Sequence, residues 1–440
     1  MNVPLRVTCA VPAFNAGDTT RGIEVARAIR DVGLQRGCAA DITFVYPRTT
    51  QTFEALIRQA GFNVRPLDFA LTDDEVAAVM HADHVGEEFV RDLAAARRSL
   101  HVYVEELEAN RPDLLIFGFI PPAGIAAQVL RVPAASYLPF PAYRPWFRRH
   151  FLKDIPDELE GALTARLPRR VRRWMAALLS RVITRKRFFT QPTFAAAARE
   201  LGWTATSPDL FAMLDADIQL VNDLPAYYAG EDVGPHACIT GPVFNRPADA
   251  QVAPDILRQF APGDVPRVFV SMGSSGEKPY LLTAIDAVAR VACRAVVVVP
   301  PHMCSLEEAR RQAGDAPHVL LTDAFVPAHV VNAMADYAII HGGQGMVQTA
   351  VFSSTPVVGV GMQVEQAVNL DHVVQRGAGI RIARRYWRTA NVERALRRLM
   401  ASPTFRASAK RLQAEFDATD GRHVTGEVIW DRVLKPAPKA

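Results

Sequence analysis

The stretch His341-Gly342-Gly343-Gln344-Gly345 decides how this chain is read. It stands between an apolar run at 337–340 and a run of helical character at 346–353. A strand that stops at glycines and then opens a helix makes an anion site. The first N–H groups of a helix lack intrahelical partners and sit at the positive end of its dipole. Glycine lets a ligand approach the backbone closely. Downstream follow Glu365-Gln366, Asn369 and Gly377-Ala378-Gly379, and upstream stands Phe325-Val326-Pro327.

Further out, short apolar runs alternate with helical patterns, which predicts parallel sheets with crossover helices. Strands are expected at 268–271, 295–299, 319–322, 337–340, 357–360 and 380–382 in the second half. In the first half they are expected at 6–11, 41–46, 63–66, 114–117, 134–137 and 218–222. Helices are expected from about Thr20 to Gly33, over roughly 73–109, over 391–415 with a break at Ser402-Pro403, and over 424–433. At 440 residues the chain exceeds one ordinary core, so two domains are expected. The Gly- and Pro-rich stretch 241–264 reads as the linker between 1–240 and 265–423. Residues 139–200 interrupt the first domain as a basic and aromatic helical insertion.

The ordered motifs over 325–382 resemble the nucleotide-sugar signature of family 1 glycosyltransferases, HGGxGT…GxP…DQ or EQ…N…GxG. The resemblance implies an α/β GT-B fold, two Rossmann-like doubly wound domains facing a central cleft. It also implies that the helix within 424–440 crosses back to the N-terminal domain. His341 would then hydrogen-bond the diphosphate, with Gly342, Gly343 and the amides of Gln344, Gly345 and Met346 completing the cradle. Gly17 and the small-residue loop Ser274-Ser275 would also face the donor. Glu365 and Gln366 would grip sugar hydroxyls, Asn369 would add a polar contact, and Phe325 would stack on the base. The residue-level alternatives are a buried strand-end role for His341, first-turn dipole stabilisation for Glu365 and a core position for Phe325. The chain departs from the signature twice. Met346 replaces a hydroxyl residue, and Thr349 replaces a glutamate that would bind the ribose, so UDP- and dTDP-sugars both stay open.

The first strand runs into Pro12-Ala13-Phe14-Asn15-Ala16-Gly17-Asp18-Thr19-Thr20. The Gly-Asp-Thr here resembles the sterol, glycopeptide-antibiotic and rhamnosyl branch of the family, which makes Asp18 the candidate general base. An acceptor hydroxyl must lose its proton as it attacks the anomeric carbon, and a carboxylate does this better when desolvated. The alternative is that Asp18 only caps the helix. The place after the strand 114–117, Phe117-Gly118-Phe119, offers no acid to assist it.

Acceptor contacts are expected from Phe14, Phe119, Trp146 and Phe147. Residues 144–189 are rich in arginine and interleaved with aromatics, and 168–183 has helical apolar spacing with a cationic face. Such a helix suits an anionic lipid surface or a greasy acceptor, and a solvated basic face is the plainer alternative. No RNA- or DNA-binding module accompanies the patch, so no nucleic-acid partner is expected. Overall charge is near balance, at +4 with 22% charged residues. The five cysteines are scattered without CxxC spacing, which argues against a disulfide framework or a zinc site. No apolar stretch approaches the ~18 residues of a membrane span, and the N-terminus lacks a signal-peptide pattern, so a cytoplasmic protein is expected, with peripheral contact at the inner membrane face as an option. The sequence therefore points to an inverting, metal-independent glycosyltransferase without cofactor, using a pyrimidine-diphosphate sugar and a hydrophobic small-molecule or lipid-like acceptor, as in natural product biosynthesis. A catalytically silent nucleotide-sugar-binding partner protein and a GT-B sugar-nucleotide epimerase are the alternatives.

Overall fold

A computed structural model of the chain describes residues 4–50, 52–186, 189–246, 250–324 and 326–434. The chain forms two units. The first comprises Met1–Phe151, Leu178–Asn245 and Thr419–Ala440, and the second Leu152–Ala177 and Arg246–Ala418.

The first unit is built on seven strands: β1 (Leu5–Ala10), β2 (Ala40–Arg48), β3 (Asn63–Ala70), β4 (Leu114–Phe117), β5 (Ala134–Leu138), β6 (Ile218–Val221) and β7 (Ala237–Ile239). They lie in the order β3-β2-β1-β4-β5-β6-β7, and every pairing is parallel. The second unit holds β8 (Arg267–Ser271), β9 (Arg294–Val298), β10 (Val319–Thr322), β11 (Tyr337–Ile340), β12 (Val357–Gly359) and β13 (Gly379–Arg381). Their order is β10-β9-β8-β11-β12-β13, again parallel throughout. Parallel sheets are covered on both faces, so their strands read as unbroken apolar runs. Val268, Phe269 and Val270 of β8 and Ile339 and Ile340 of β11 have no exposed surface. The strand order reverses between β1 and β4 in one sheet and between β8 and β11 in the other. Such switch points are where open α/β sheets bind ligands, beyond the carboxyl ends of the strands.

The expected strands all form, and β7, three residues at the sheet edge, is added to them. Four local expectations change. The first crossover helix is Ala16–Gln35, beginning four residues before Thr20. The expected helix 73–109 is two helices, Asp73–Val85 and Leu93–Asn110, parted where Gly86 takes φ 74°. The stretch 241–264 contains a helix, Pro254–Gln259, with proline at its start. Residues 152–177 belong to the second unit rather than the first.

The last helix, Gly421–Arg432, lies against Ala16–Gln35. A Cβ at Gly426 would stand 2.5 Å from the Ala28 carbonyl, and one at Gly33 2.8 Å from the Trp430 ring. The Trp430 indole N–H donates to the Ile29 carbonyl at 3.0 Å. Among the described residues no helix is long and apolar enough to cross a membrane, and all five cysteines are free.

Candidate functional site

In the second unit two loops meet at the switch point. Ser271-Met272-Gly273 leaves β8, and His341-Gly342-Gly343 leaves β11, strands paired through Ile340 and Ser271. The His341 ring lies between the two loops. A Cβ at Gly273 would come within 2.3 Å of its Cε1, and a Cβ at Gly343 within 2.4 Å of its Nε2. Gly273 also takes φ 59° and Gly342 φ 85°, conformations open to glycine. At Gly342 a Cβ would lie 2.6 Å from the Gln366 carbonyl, so the turn packs tightly on the helix Val364–Gln375. His341 is 4% exposed, and among the described residues its Nδ1 has no hydrogen-bond partner. Burial pushes its pKa down to about 4, so the ring is neutral at pH 7 and has an N–H to donate.

The helix Gln344–Phe352 starts directly after this turn, with Gly343 as its N-cap and no side-chain cap. Gly343 has no side chain with which to cap the first turn, which holds Gln344, Gly345 and Met346. A Cβ on Gly345 would meet no atom within 4 Å. A helix end without a side-chain cap, open space beside it and a buried neutral histidine make an arrangement that can receive an anion. Met346 turns its side chain to the apolar cluster of Phe260, Phe269 and Val331, which explains an apolar residue there while its amide remains in the first turn. Thr349 bonds back to the Gly345 carbonyl at 2.7 Å.

Glu365 and Gln366 lie in the first turn of Val364–Gln375, and they differ. Glu365 is half-buried and accepts from the Asn369 amide at 2.6 Å. Asn369 also donates to the Gly342 carbonyl at 3.1 Å, tying this helix to the glycine turn. Gln366 is 2% exposed. Its oxygen accepts from Met362 N at 2.8 Å and Gln363 N at 3.4 Å, and its nitrogen donates to Ser275 Oγ and Gln363 Oε1, each at 3.0 Å. Those bonds occupy its full capacity, so Gln366 clamps the 362–363 loop to the Ser274-Ser275 loop. Ser274 is exposed and Ser275 half-buried. Phe325, expected to stack on a base, lies outside the described residues.

In the first unit the turn after β1 is strained at buried Ala13, with φ 52°. Asn15 is the helix cap, its side chain accepting from the amides of Gly17 at 2.9 Å and Asp18 at 3.3 Å. Asp18 therefore does not cap the helix and sits in its first turn. Burial raises its pKa, with the positive charge of Arg21, 3.4 Å away, opposing the rise. A second acid comes from the helix Asp73–Val85, where burial and the charge of Asp18 push Asp83 up to about 6. Sequence reasoning looked for such an acid after β4 and missed this one, which no local motif marks. Phe14 and Phe119 are half-buried. Trp146 and Phe147 are not available to an acceptor, being 1% and 0% exposed. Phe147 stacks on Phe151 at 3.8 Å, and the Trp146 indole donates to Glu231 at 2.8 Å. Both are core residues in an aromatic cluster.

Known proteins bear on this geometry. Residues 284–426 match the erythromycin biosynthesis protein CIII-like C-terminal domain. A PGL/p-HBAD biosynthesis glycosyltransferase of Mycobacterium tuberculosis is 24% identical over 217 residues, 49% of this chain and 47% of the relative. The match thus spans about half the length of that relative. A PGL/p-HBAD biosynthesis rhamnosyltransferase of Mycobacterium bovis is 23% identical over 359 residues, 76% of this chain and 73% of its own length. Among solved structures, a spinosyn forosaminyltransferase superposes with TM-score 0.68 at 18% identity, covering 98% of this chain and 100% of that one. A spinosyn rhamnosyltransferase complexed with thymidine diphosphate gives TM-score 0.61 at 15% identity, with 96% and 98% covered. The chain thus has the GT-B fold and is similar in sequence to the mycobacterial glycosyltransferases, and its residues 284–426 match the EryCIII-like C-terminal domain.

Proposed function

We propose that this protein is an inverting glycosyltransferase that moves a sugar from a pyrimidine-diphosphate donor to a hydroxyl of a hydrophobic or lipid-like acceptor. The observation that carries the reading is buried, neutral His341 beside the start of the helix Gln344–Phe352, which has no side-chain cap, at the switch point of the second sheet. In this reading the cradle takes the diphosphate, and the His341 N–H and the amides of Gln344–Met346 stabilise the charge as it leaves. The acceptor oxygen bonds to the anomeric carbon, the bond from that carbon to the phosphate oxygen breaks, and Asp18 takes the hydroxyl proton. The raised pKa of Asp18 supports its role as base. Between UDP and dTDP the second is favoured, because Thr349 stands where a ribose-binding glutamate would and a structural neighbour holds thymidine diphosphate.

The test is calorimetric titration with UDP, dTDP, GDP and ADP in the presence of a chelator, since the transfer is proposed to need no metal. Selective binding of dTDP, lost in His341→Ala, is expected, and failure to bind any of the four would sink the reading. In acceptor assays Asp18→Asn should cut turnover by about 10²–10⁴-fold with donor affinity kept.

The helix Arg169–Ile183 supports a membrane-presented acceptor. Val171, Trp174, Leu178 and Val182 form one exposed stripe along it, with Trp174 67% exposed. Arg170, Arg181 and Arg185 flank the stripe, an arrangement suited to an anionic lipid surface. Sedimentation with phosphatidylglycerol vesicles should carry the protein down, and Trp174→Glu should abolish this. Equal behaviour of the two proteins would leave the acceptor a freely diffusing molecule.

A further inference from the structure

The segment Leu152–Ala177 is attached to the second unit by a cluster of buried charges. Arg381, at the end of β13, lies between Asp157 and Asp371, and all three side chains are at most 7% exposed. Arg381 bonds Asp371 at 2.7 Å and the Ile155 carbonyl at 3.0 Å, and it pairs with Asp157. Burial pushes both carboxyls up, and the guanidinium between them opposes that. The Gln375 side chain holds the Lys153 carbonyl at 2.6 Å. Within the segment, Arg172 binds Asp154 at 2.8 Å and Glu160 at 2.6 Å, so it folds back on itself.

From this cluster a line of hydrogen bonds runs to the donor cradle. Asp157 accepts the Arg384 backbone N–H at 2.8 Å. The Arg384 guanidinium pairs with Glu158 and donates to the Met362 carbonyl at 3.0 Å. Met362 N donates to Gln366 at 2.8 Å, and Gln366 donates to Ser275 at 3.0 Å. We infer that Asp157 and Arg384 are positioning residues for nucleotide-sugar binding: the segment 152–177 sets the 362–363 loop, and through Gln366 the Ser274-Ser275 loop, at the spacing the donor requires. This rests on the donor-site reading above. It gives a sequence far from the cradle control over donor affinity without touching the donor.

Arg384→Gln tests it, because Arg384 is a third exposed and its loss takes from the Arg381 cluster only a 3.7 Å contact with Asp157, leaving the backbone bond of residue 384 to Asp157 and both Arg381 pairs in place. Peptide-level hydrogen exchange and dTDP titration are read on the same protein, with UDP used in place of dTDP if the unaltered protein prefers it. The expected result is faster exchange over 272–277 and 360–367, about 10-fold weaker nucleotide binding and a raised donor KM with acceptor KM unchanged. The double variant Arg384→Gln/Gln366→Ala should lose little more than Gln366→Ala alone. A lower melting temperature with unchanged exchange in these peptides, or unchanged nucleotide affinity, overturns the inference and marks Arg384 as structural only. Failure of the unaltered protein to bind any nucleoside diphosphate overturns the donor-site reading itself, and the positioning role with it.

Discussion

Gly273 and Gly345 stand in opposite surroundings: one faces a ring, the other faces space. A methyl on Gly273 would collide with His341 in a backbone conformation that already disfavours it. Gly273→Ala should cost about 1–3 kcal/mol and weaken donor binding. A methyl on Gly345 meets nothing, and alanine suits a helix better by roughly 0.5–1 kcal/mol. Gly345→Ala should therefore raise the melting temperature while weakening nucleotide binding, because the methyl enters the space beside the amides. Thermal melts and titrations on the pair decide this, and a Gly345→Ala protein with unchanged affinity would remove the helix end from the site. His341 adds a pH signature. Its folded pKa, about 4, lies below the ordinary 6.5, so the unfolded chain binds the extra proton between those values. Stability is full above pH 6.5 and falls as pH drops towards 4, by about 3 kcal/mol in all. Buried His372 is displaced the same way. Melts from pH 7.5 to 4.5 should show the loss, reduced in His341→Asn. The histidine and its glycines were legible in the sequence because the glycines are required at fixed offsets. Asp83 and the saturated Gln366 were not, since each depends on what a distant loop brings to it.

At the scale of elements, strands were the easiest to read and helix ends the hardest. Burial on both faces makes β8, β9 and β11 continuous apolar runs, a signal that survives without an alignment. The break at Gly86 was missed because one glycine in a polar helix is a weak stop, whereas here it takes the left-handed conformation that ends the helix. Pro254 read as part of a linker although proline also suits the first helical turn. The helix Gly421–Arg432 shows a contact no periodicity announces, two backbones approaching at Gly426. Gly426→Val should destabilise the protein by about 1–3 kcal/mol through overpacking against Ala28 and Val32. A denaturant melt with an unshifted midpoint would show that the helix can slide away without cost.

At the scale of the molecule, the chain passes between its two units at 151/152, 177/178, 245/246 and 418/419. The alternating strands made two domains legible, but a segment held by Arg381 and Arg384 leaves no local mark, and it was read with the wrong partner. Residues 246–418 expressed alone would keep Asp371 beside Arg381 but lose Asp157 and the segment that covers the pair, and breaking such a buried pair costs about 3–5 kcal/mol. That fragment should give no cooperative melt by circular dichroism, and fusing 152–177 to it should restore one. A cooperative melt of 246–418 at the temperature of the whole protein would refute this.

The same arginine constrains how such proteins can be recombined. A chimera joined by one crossover at 245/246 would inherit Arg381 and Asp371 from one parent and the acid at 157 from the other. Unless both parents supply an acid at that place, the graft keeps only Asp371 beside Arg381 and loses the bonds that fasten 152–177. The second unit is therefore two separate pieces of sequence, and a shuffling experiment aimed at the proposed donor site should move them together.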